Sequence, residues 1–227
     1  LAALTVGGAV SGWQMALAES QRRGGNIPLS RLFEDAINHA QNGTPVSGTL
    51  HRNAAGKLNE LKDVPGFSET FLVDGAAPDE GHNLKLPALA DTFERLAEAG
   101  IDDFYRGDVA QSIARELEAA GSPIRADDLA QHKALTVEPL SVTLKSGTAY
   151  TLPPPTQGLA SMMILGICER LGVSEAESFA HVHSIVEASK LAFRVRDRYV
   201  SDPTYMTIDP ANFLADDMLD QLSAEID

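Results

Sequence analysis

The sequence has very little cysteine and no long apolar run, and these absences exclude several classes of protein. Cys168 is the single cysteine among 227 residues, so an internal disulfide and a multi-cysteine zinc site are both excluded. The richest apolar stretch, residues 159–168, is shorter than the ~18 residues that a membrane-spanning helix requires. Neither a G-x-S-x-G nor an H-E-x-x-H motif occurs, so two common hydrolase signatures are also missing.

Basic residues are scarce relative to acidic ones. The chain has 18 lysines and arginines against 32 aspartates and glutamates, which gives a formal net charge of -14. Such a charge repels phosphate backbones and anionic lipids, so we expect neither nucleic acid nor a membrane surface as a partner. The N-terminus has no basic segment followed by a cleavable apolar core, and no targeting signal is predicted there.

The residues that are present are those of a folded globular protein. Apolar residues make up 44% and charged residues 22% of the chain, which is ordinary for a globular domain and argues against disorder. The length suits one large domain or two small ones. We expect residues 1–227 to form a single domain that is a fragment of a larger subunit.

Helical and strand-like segments alternate along the chain. Apolar spacing and capping residues predict helices, and alternation around a KSG turn predicts a hairpin from residue 140 to 152. The Ser174 to Glu177 spacing indicates a capping box that opens a long helix ending near Tyr199. The segment 44–85 has only weak periodicity and is interpreted as loops. The predicted helices are 9–20, 28–43, 87–100, 108–121, 125–132, 174–199 and 209–227.

Three consecutive prolines, Pro153–Pro155, precede the most apolar segment of the chain. Proline fixes its own backbone and holds its predecessor extended, so this stretch is predicted to be a stiff connector. Thr156 is a plausible cap for the following helix, which is apolar around nearly its whole circumference and is predicted to be buried on all sides. Its small residues, Gly166 among them, leave room for a neighbouring backbone. A buried helix beside a hairpin indicates a layered fold with helices and strands.

No arrangement of reactive residues stands out. His183 and Glu187 are four apart and could share a metal on a helix, but no third ligand is evident. Arg106–Asp108 reads RGD, and Asn42–Thr44 is a glycosylation pattern; both are short enough to arise by chance. Cys168 lies in an apolar helix, which disfavours its thiolate. From the residues alone, the prediction is a layered fold with no metal, no cofactor and no visible active site.

Several motifs, taken in order, resemble the large subunit of the gamma-glutamyltranspeptidase family. The first four are VGGAVSGW at the start, Phe104, Tyr105 and Gly107 in an FY-x-G element, Asp128 and Leu129 in a DLA element, and Pro153–Pro155 with Gly158 in a PPP-S-S-G-G element. The last is a helix that ends in a DP turn, matched by Glu187, Ala188, Lys190, Ala192, Phe193, Arg196, Tyr199, Asp202 and Pro203. The chain departs from the family where Thr156 and Gln157 replace two serines, Leu159 replaces a glycine and Val195 replaces an aspartate.

The resemblance implies a helix-rich α/β fold of the α+β kind, the large-subunit part of the αββα sandwich of N-terminal-nucleophile hydrolases. It implies a precursor that cuts itself into two subunits, a small subunit as partner, and gamma-glutamyl amides such as glutathione as substrates. The nucleophile would be the N-terminal threonine of the small subunit, so no catalytic residue is assigned to this chain, and no cofactor or metal is implied. A periplasmic or extracellular location is also implied.

Two alternatives remain open on the sequence. The altered PPP loop suggests an acylase of the same architecture that acts on glutaryl or cephalosporin-type amides. The lack of a reactive constellation is equally consistent with a non-catalytic scaffold.

Overall fold

The chain forms two compact units, Leu1–Ala134 and Leu135–Asp227, here called unit 1 and unit 2. The structure is a computed structural model that describes residues 5–227. In these residues, none of the helices combines the length and hydropathy needed to cross a membrane. Helices predominate and the sheets are small, as expected for the helix-rich α+β class.

Unit 1 is built almost entirely of helices. Its core lies where α2 packs against α5, and the rings of Phe33 and Phe93 stack there with centroids 5.4 Å apart. Pro87 starts α5 at its first turn, as the sequence predicts. The helices are α1 (Ala9–Arg22), α2 (Leu29–Asn42), α3 (Gly48–Leu61), α4 (Phe67–Phe71), α5 (Pro87–Ala99), α6 (Asp103–Arg106), α7 (Asp108–Ala119) and α8 (Ala126–Gln131).

The prediction of loops over residues 44–85 is wrong. This segment contains α3 and α4 and two short strands, β1 (Thr44–Pro45) and β2 (Asn83–Leu84), which pair antiparallel. The Ser47 side chain caps α3 by accepting a hydrogen bond from the N–H of Leu50 at 3.2 Å. Ala54 is the single buried residue of α3, so this helix lacks the apolar stripe on which the sequence prediction depends.

Unit 2 packs one hairpin against a layer of helices. The hairpin joins β3 (Leu140–Leu144) to β4 (Gly147–Thr151), with Leu140 opposite Thr151. This confirms the predicted hairpin and its turn. The helices are α9 (Gly158–Leu171), α10 (Phe179–Tyr199) and α11 (Asp216–Ser223), with 3-10 helices at Pro203–Tyr205 and Pro210–Leu214.

Helix α9 lies at the centre of unit 2, in contact with the hairpin, α10 and α11. Met163 and Ile167 are fully buried, but Leu165 is 41% exposed, so the prediction of burial on all sides is wrong. A side chain at Gly166 would come within 2.7 Å of Leu219 and 3.2 Å of Val142. The predicted close neighbour of Gly166 is therefore real, but it consists of side chains and not of backbone.

Two predicted helix boundaries in unit 2 are also wrong. The long helix α10 begins at Phe179, because the Ser178 side chain accepts the N–H of His181 at 3.1 Å. The Ser174 to Glu177 pattern therefore lies before the helix. The C-terminal segment is divided into a 3-10 helix and α11, because Asp209 caps the first and Ala215 is extended before the second.

We predict that Gly166→Leu lowers the stability of the chain, because the larger side chain must displace Leu219 and Val142. Overpacking of this kind typically costs about 1–3 kcal/mol. Gly56→Leu in α3 is the matched control, since a side chain there meets nothing within 4 Å, and leucine has the higher helix propensity. Thermal midpoints should fall for the first variant and stay level or rise for the second. Equal midpoints would contradict the close packing at Gly166.

Candidate functional site

Unit 2 contains a groove of about 770 Å³. It lies where the chain before β3, the proline loop after β4 and the segment after α10 come together. We call it the proline-lined groove. Its lining consists of Leu135, Val137, Leu152, Pro153, Pro154, Pro155, Thr156, Asp202, Pro203, Thr204, Met206, Thr207, Ile208, Asp209 and Pro210.

The proline loop forms one rigid wall of this groove. Its three rings are locked in φ, and the Pro154–Pro155 peptide bond is cis. The Thr156 hydroxyl lies 2.9 Å from the carbonyl oxygen of Leu152 and 3.1 Å from that of Pro153, so its proton points back into the loop. The cap predicted for Thr156 is therefore wrong: Gln157 occupies the N-cap position of α9, with no side-chain cap.

The opposite wall is shaped by two aspartates that cap 3-10 helices. Asp202 accepts the N–H of Thr204 at 2.8 Å, and Asp209 accepts the N–H of Ala211 at 2.9 Å. The hydrogen bond from the Thr204 backbone lowers the pKa of Asp202 below its ordinary value. Both carboxylates are thus engaged in capping the 3-10 helices that follow them. The DP turn of the motif is therefore the capped start of a 3-10 helix.

The charge of the groove determines which groups it can hold. Its lining includes two aspartates and no lysine, arginine or histidine. Carboxylates are bound in proteins by paired cations and hydrogen-bond donors. The groove is therefore suited to an uncharged or apolar group and poorly suited to the carboxylate of a substrate.

Unit 1 contains a serine and a histidine in hydrogen-bond contact, the arrangement of a nucleophile and its base. Ser11 Oγ lies 3.0 Å from His132 Nε2 and 3.0 Å from the carbonyl oxygen of Gly8. The Gly8 carbonyl can only accept, so it competes with His132 for the single serine proton. Ser11 is also buried, which disfavours attack of its hydroxyl on a substrate amide.

The same cluster includes the tyrosine of the FY-x-G element. Tyr105 donates to the carbonyl oxygen of Gly7 at 2.6 Å and accepts the N–H of Ser11 at 2.9 Å. Its ring stacks on His132, with centroids 5.2 Å apart. These contacts join residues about 100 positions apart and secure the start of α1, so their role is structural. Spacing along the chain does not reveal these contacts, although Ser11 lies in the VGGAVSGW motif and Tyr105 in the FY-x-G element.

The glycine of the same element makes room for a buried acid. A side chain on Gly107 would come within 2.0 Å of the Asp103 carboxylate. Asp103 accepts hydrogen bonds from Arg95 at 2.8 Å and from the N–H of Val109 at 3.0 Å. The bond from Arg95 lowers the pKa of Asp103 most, and the bond from Val109 adds to it, against the opposing effect of burial.

The other candidate residues from the sequence form no reactive arrangement with one another. Within residues 5–227, no three metal-ligating side chains converge. Glu187 is bonded to Lys190 at 2.7 Å, and Arg106 of the RGD sequence donates to the carbonyl oxygen of His132 at 2.9 Å. Cys168 is partly buried, and burial raises the pKa of its thiol, so the reactive thiolate is disfavoured.

Two of the departures from the family pattern point into the core. Leu159 is 1% exposed and Val195 is buried in the same cluster, so both affect packing. Thr156 and Gln157 are exposed, but only Thr156 lines the proline-lined groove. Of the four residues that depart from the family pattern, Thr156 alone can therefore change the surface of this groove directly.

The family model described as Gamma-glutamyltranspeptidase matches residues 1–227. The chain belongs to the gamma-glutamyltranspeptidase family. It is 45% identical over its full length to an oxamate amidohydrolase proenzyme of Klebsiella pneumoniae, covering 43% of that protein. It is 33% identical over 99% of its length to the glutathione hydrolase-like YwrD proenzyme of Bacillus subtilis, covering 42% of it. The chain thus spans about two fifths of the length of these relatives.

Solved structures confirm the fold of this family member. A gamma-glutamyltranspeptidase from Pseudomonas nitroreducens matches with a TM-score of 0.85 and 28% identity, over 96% of this chain and 64% of the other. A cephalosporin acylase from Bacillus halodurans matches with a TM-score of 0.83 and 29% identity, over 89% of this chain and 39% of the other. The resemblance recognised in the sequence is therefore correct in both family and fold.

We predict that Tyr105→Phe destabilises unit 1, because the buried N–H of Ser11 loses its acceptor. Leaving a buried donor unsatisfied costs about 1–3 kcal/mol. Tyr150→Phe is the control, because its ring is 66% exposed and surface changes usually stay within about 0.5 kcal/mol. Urea unfolding followed by circular dichroism should separate the two variants. Indistinguishable curves would refute the structural role of the hydroxyl.

We predict that the stability difference between the wild type and Asp103→Asn depends on pH. The folded-state pKa of Asp103 is lowered, so its contribution is complete above the unfolded value of about 3.9 and is lost as the pH falls through the folded value. The wild type should exceed the variant in stability at pH 7, and the difference should shrink below about pH 4. Asp91→Asn, at an exposed position, serves as control. A difference that stays constant at low pH would contradict the ionised Asp103.

Proposed function

We propose that this chain is the scaffold portion of an amide hydrolase, and that the reacting nucleophile is supplied by a second subunit. The observation that carries the proposal is the 45% identity over the whole chain to an oxamate amidohydrolase proenzyme. It is supported by the described residues: the Ser11 hydroxyl that contacts His132 is buried and also hydrogen-bonded to the Gly8 carbonyl, and the thiol is partly buried.

In the proposed reaction, an N-terminal threonine of the second subunit attacks the amide carbonyl, and its own α-amino group accepts the proton. The C–N bond breaks, the amine leaves with a proton, and an ester links the acyl group to the threonine. Water then cleaves this ester and regenerates the hydroxyl. The role proposed for residues 1–227 is that of one domain that supports this centre.

The first substrate proposed is oxamate, whose hydrolysis gives oxalate and ammonia. The Klebsiella relative carries this activity in its name and is 45% identical, against 33% and 30% for relatives named glutathione hydrolase-like and glutathione hydrolase. These latter relatives favour gamma-glutamyl amides such as glutathione as a second candidate. Oxamate and glutathione share an amide and a carboxylate, and the proline-lined groove has no cation for that carboxylate.

We predict that the 227-residue chain alone hydrolyses neither oxamate nor a gamma-glutamyl amide. Combined with the unmatched portion of the Klebsiella proenzyme, it should release ammonia from oxamate faster than it cleaves glutathione or a glutaryl amide. Ammonia and free amine are measured for each substrate at several protein concentrations. Turnover by the chain alone, proportional to its concentration, would contradict the proposal that a second subunit supplies the nucleophile. A complex inactive on all three amides would favour the non-catalytic scaffold.

A further inference from the structure

Helix α10 has a second apolar face that is not covered within the described chain. Its first face, which includes Ala188, Ala192 and Val195, is buried in the core of unit 2. The second face consists of Phe179, Val182, Val186 and Phe193, here called the outer stripe. Phe179 is 86% exposed, and the other three are between 42% and 54% exposed. Isolated exposed apolar residues are common, but four on one side of a helix, interrupted only at Ser189 and Lys190, indicate an interaction surface.

The spacing of the outer stripe predicts the shape of its partner. Phe179, Val186 and Phe193 follow one another at intervals of seven residues, and Val182 lies between the first two at a heptad position. Residues so spaced lie along one side of a helix and pack against an elongated element. Contacts within the helix hold two of the rings: the Arg196 guanidinium lies 3.9 Å from the centre of the Phe193 ring, and the His183 ring stacks on Phe179 with centroids 5.7 Å apart.

A second copy of this chain is a poor occupant. Helix α10 has four basic and two acidic residues, in a chain with 18 basic and 32 acidic residues. A two-fold contact would place this basic helix against itself, because the same patch is used by both copies. Two chains with a net charge of -14 each also repel one another.

The relatives of the chain indicate a different occupant. The match covers 43% of the Klebsiella proenzyme and 42% of the Bacillus subtilis proenzyme, so more than half of each relative lies outside it. That unmatched portion is large enough to supply an elongated apolar element along the whole of α10.

We propose that the outer stripe of α10 is a docking surface for the portion of the family precursor that this chain does not match. This assignment rests on the proposed function, which requires a second subunit. It goes beyond that function by naming the surface of this chain that the rest of the precursor contacts. Docking buries Val186 and Phe193, so a charge introduced at position 186 would be desolvated without a partner.

The test compares two valine-to-glutamate variants of similar exposure. Val186 is 49% exposed in the outer stripe, and Val173 is 38% exposed in the turn after α9. Each 227-residue chain is co-expressed with the unmatched portion of the Klebsiella proenzyme, and the dissociation constant of the purified complex is measured. We expect Val186→Glu to weaken the complex at least tenfold, and Val173→Glu to stay within about twofold of the wild type. Thermal midpoints of the chains alone should be equal, because both valines are partly exposed.

A second measurement locates the contact directly. In a Cys168→Ala background, Val186→Cys should react quickly with a soluble thiol reagent in the chain alone and at least tenfold more slowly in the complex. Val173→Cys should react at the same rate in both states. Equal affinity of the two glutamate variants, an unprotected Val186→Cys or no complex with the wild type would each overturn the proposal.

Three further outcomes separate this proposal from its alternatives. If the chain alone forms dimers that Val186→Glu abolishes, the occupant is a second copy and the proposal is wrong. If the complex forms through α10 but hydrolyses none of the tested amides, the docking surface stands and the proposed function fails. If the complex is active and Val186→Glu leaves its affinity unchanged, the proposed function stands and the docking surface is wrong.

Discussion

Unit 2 depends on how closely α9 approaches the hairpin. A side chain on Gly158 would come within 1.8 Å of the Thr151 hydroxyl, and one on Gly166 would meet Val142 and Leu219. These two glycines let one helix touch β3, β4 and α11 together, and Gly166, in the helix interior, costs about 1 kcal/mol in helix propensity relative to alanine. Met163 and Ile167 are then fully buried between these contacts. Arg170 extends the same packing by donating to the carbonyl oxygen of Gly166 and to Asp216 of α11.

The close approach of α9 to β4 also determines the shape of the proline-lined groove. Because Gly158 holds the first turn of α9 against Thr151, the chain between them must turn back sharply within six residues. Three prolines limit the shapes this loop can take, and the Thr156 hydroxyl closes it by bonding to the carbonyl of Leu152. The wall of the groove is thus determined by packing on the other side of the loop. Changes in the core of unit 2 should therefore reach the groove through the backbone.

The sequence predicted best the elements with strong local signals, although the caps expected at Thr156 and Ser174 were wrong, and it missed contacts between distant residues. The hairpin at Leu140–Thr151 and the proline-initiated α5 were correct because alternation and capping are local patterns. Helix α3 was not predicted, because Ala54 is its single buried residue and its sequence therefore shows no clear apolar stripe. The cluster of Ser11, Tyr105 and His132 could not be predicted from spacing, since its hydrogen bonds join residues 94 and 121 positions apart. Family resemblance identified the fold because it draws on many such distant constraints at once.

The motifs that reveal the family are chiefly solutions to packing problems. Gly107 accommodates Asp103, Asp202 caps a 3-10 helix, and Ala188 and Ala192 let α10 lie against α9. Such positions identify a fold without identifying its substrate, because each is satisfied by contacts inside the chain. The substrate must be distinguished by groups that are not already engaged. The proline-lined groove offers apolar surface but no cation, and oxamate and gamma-glutamyl amides both carry a carboxylate. Under the proposed function, the residue that recognises this carboxylate therefore lies outside the groove, because no lining side chain carries a positive charge.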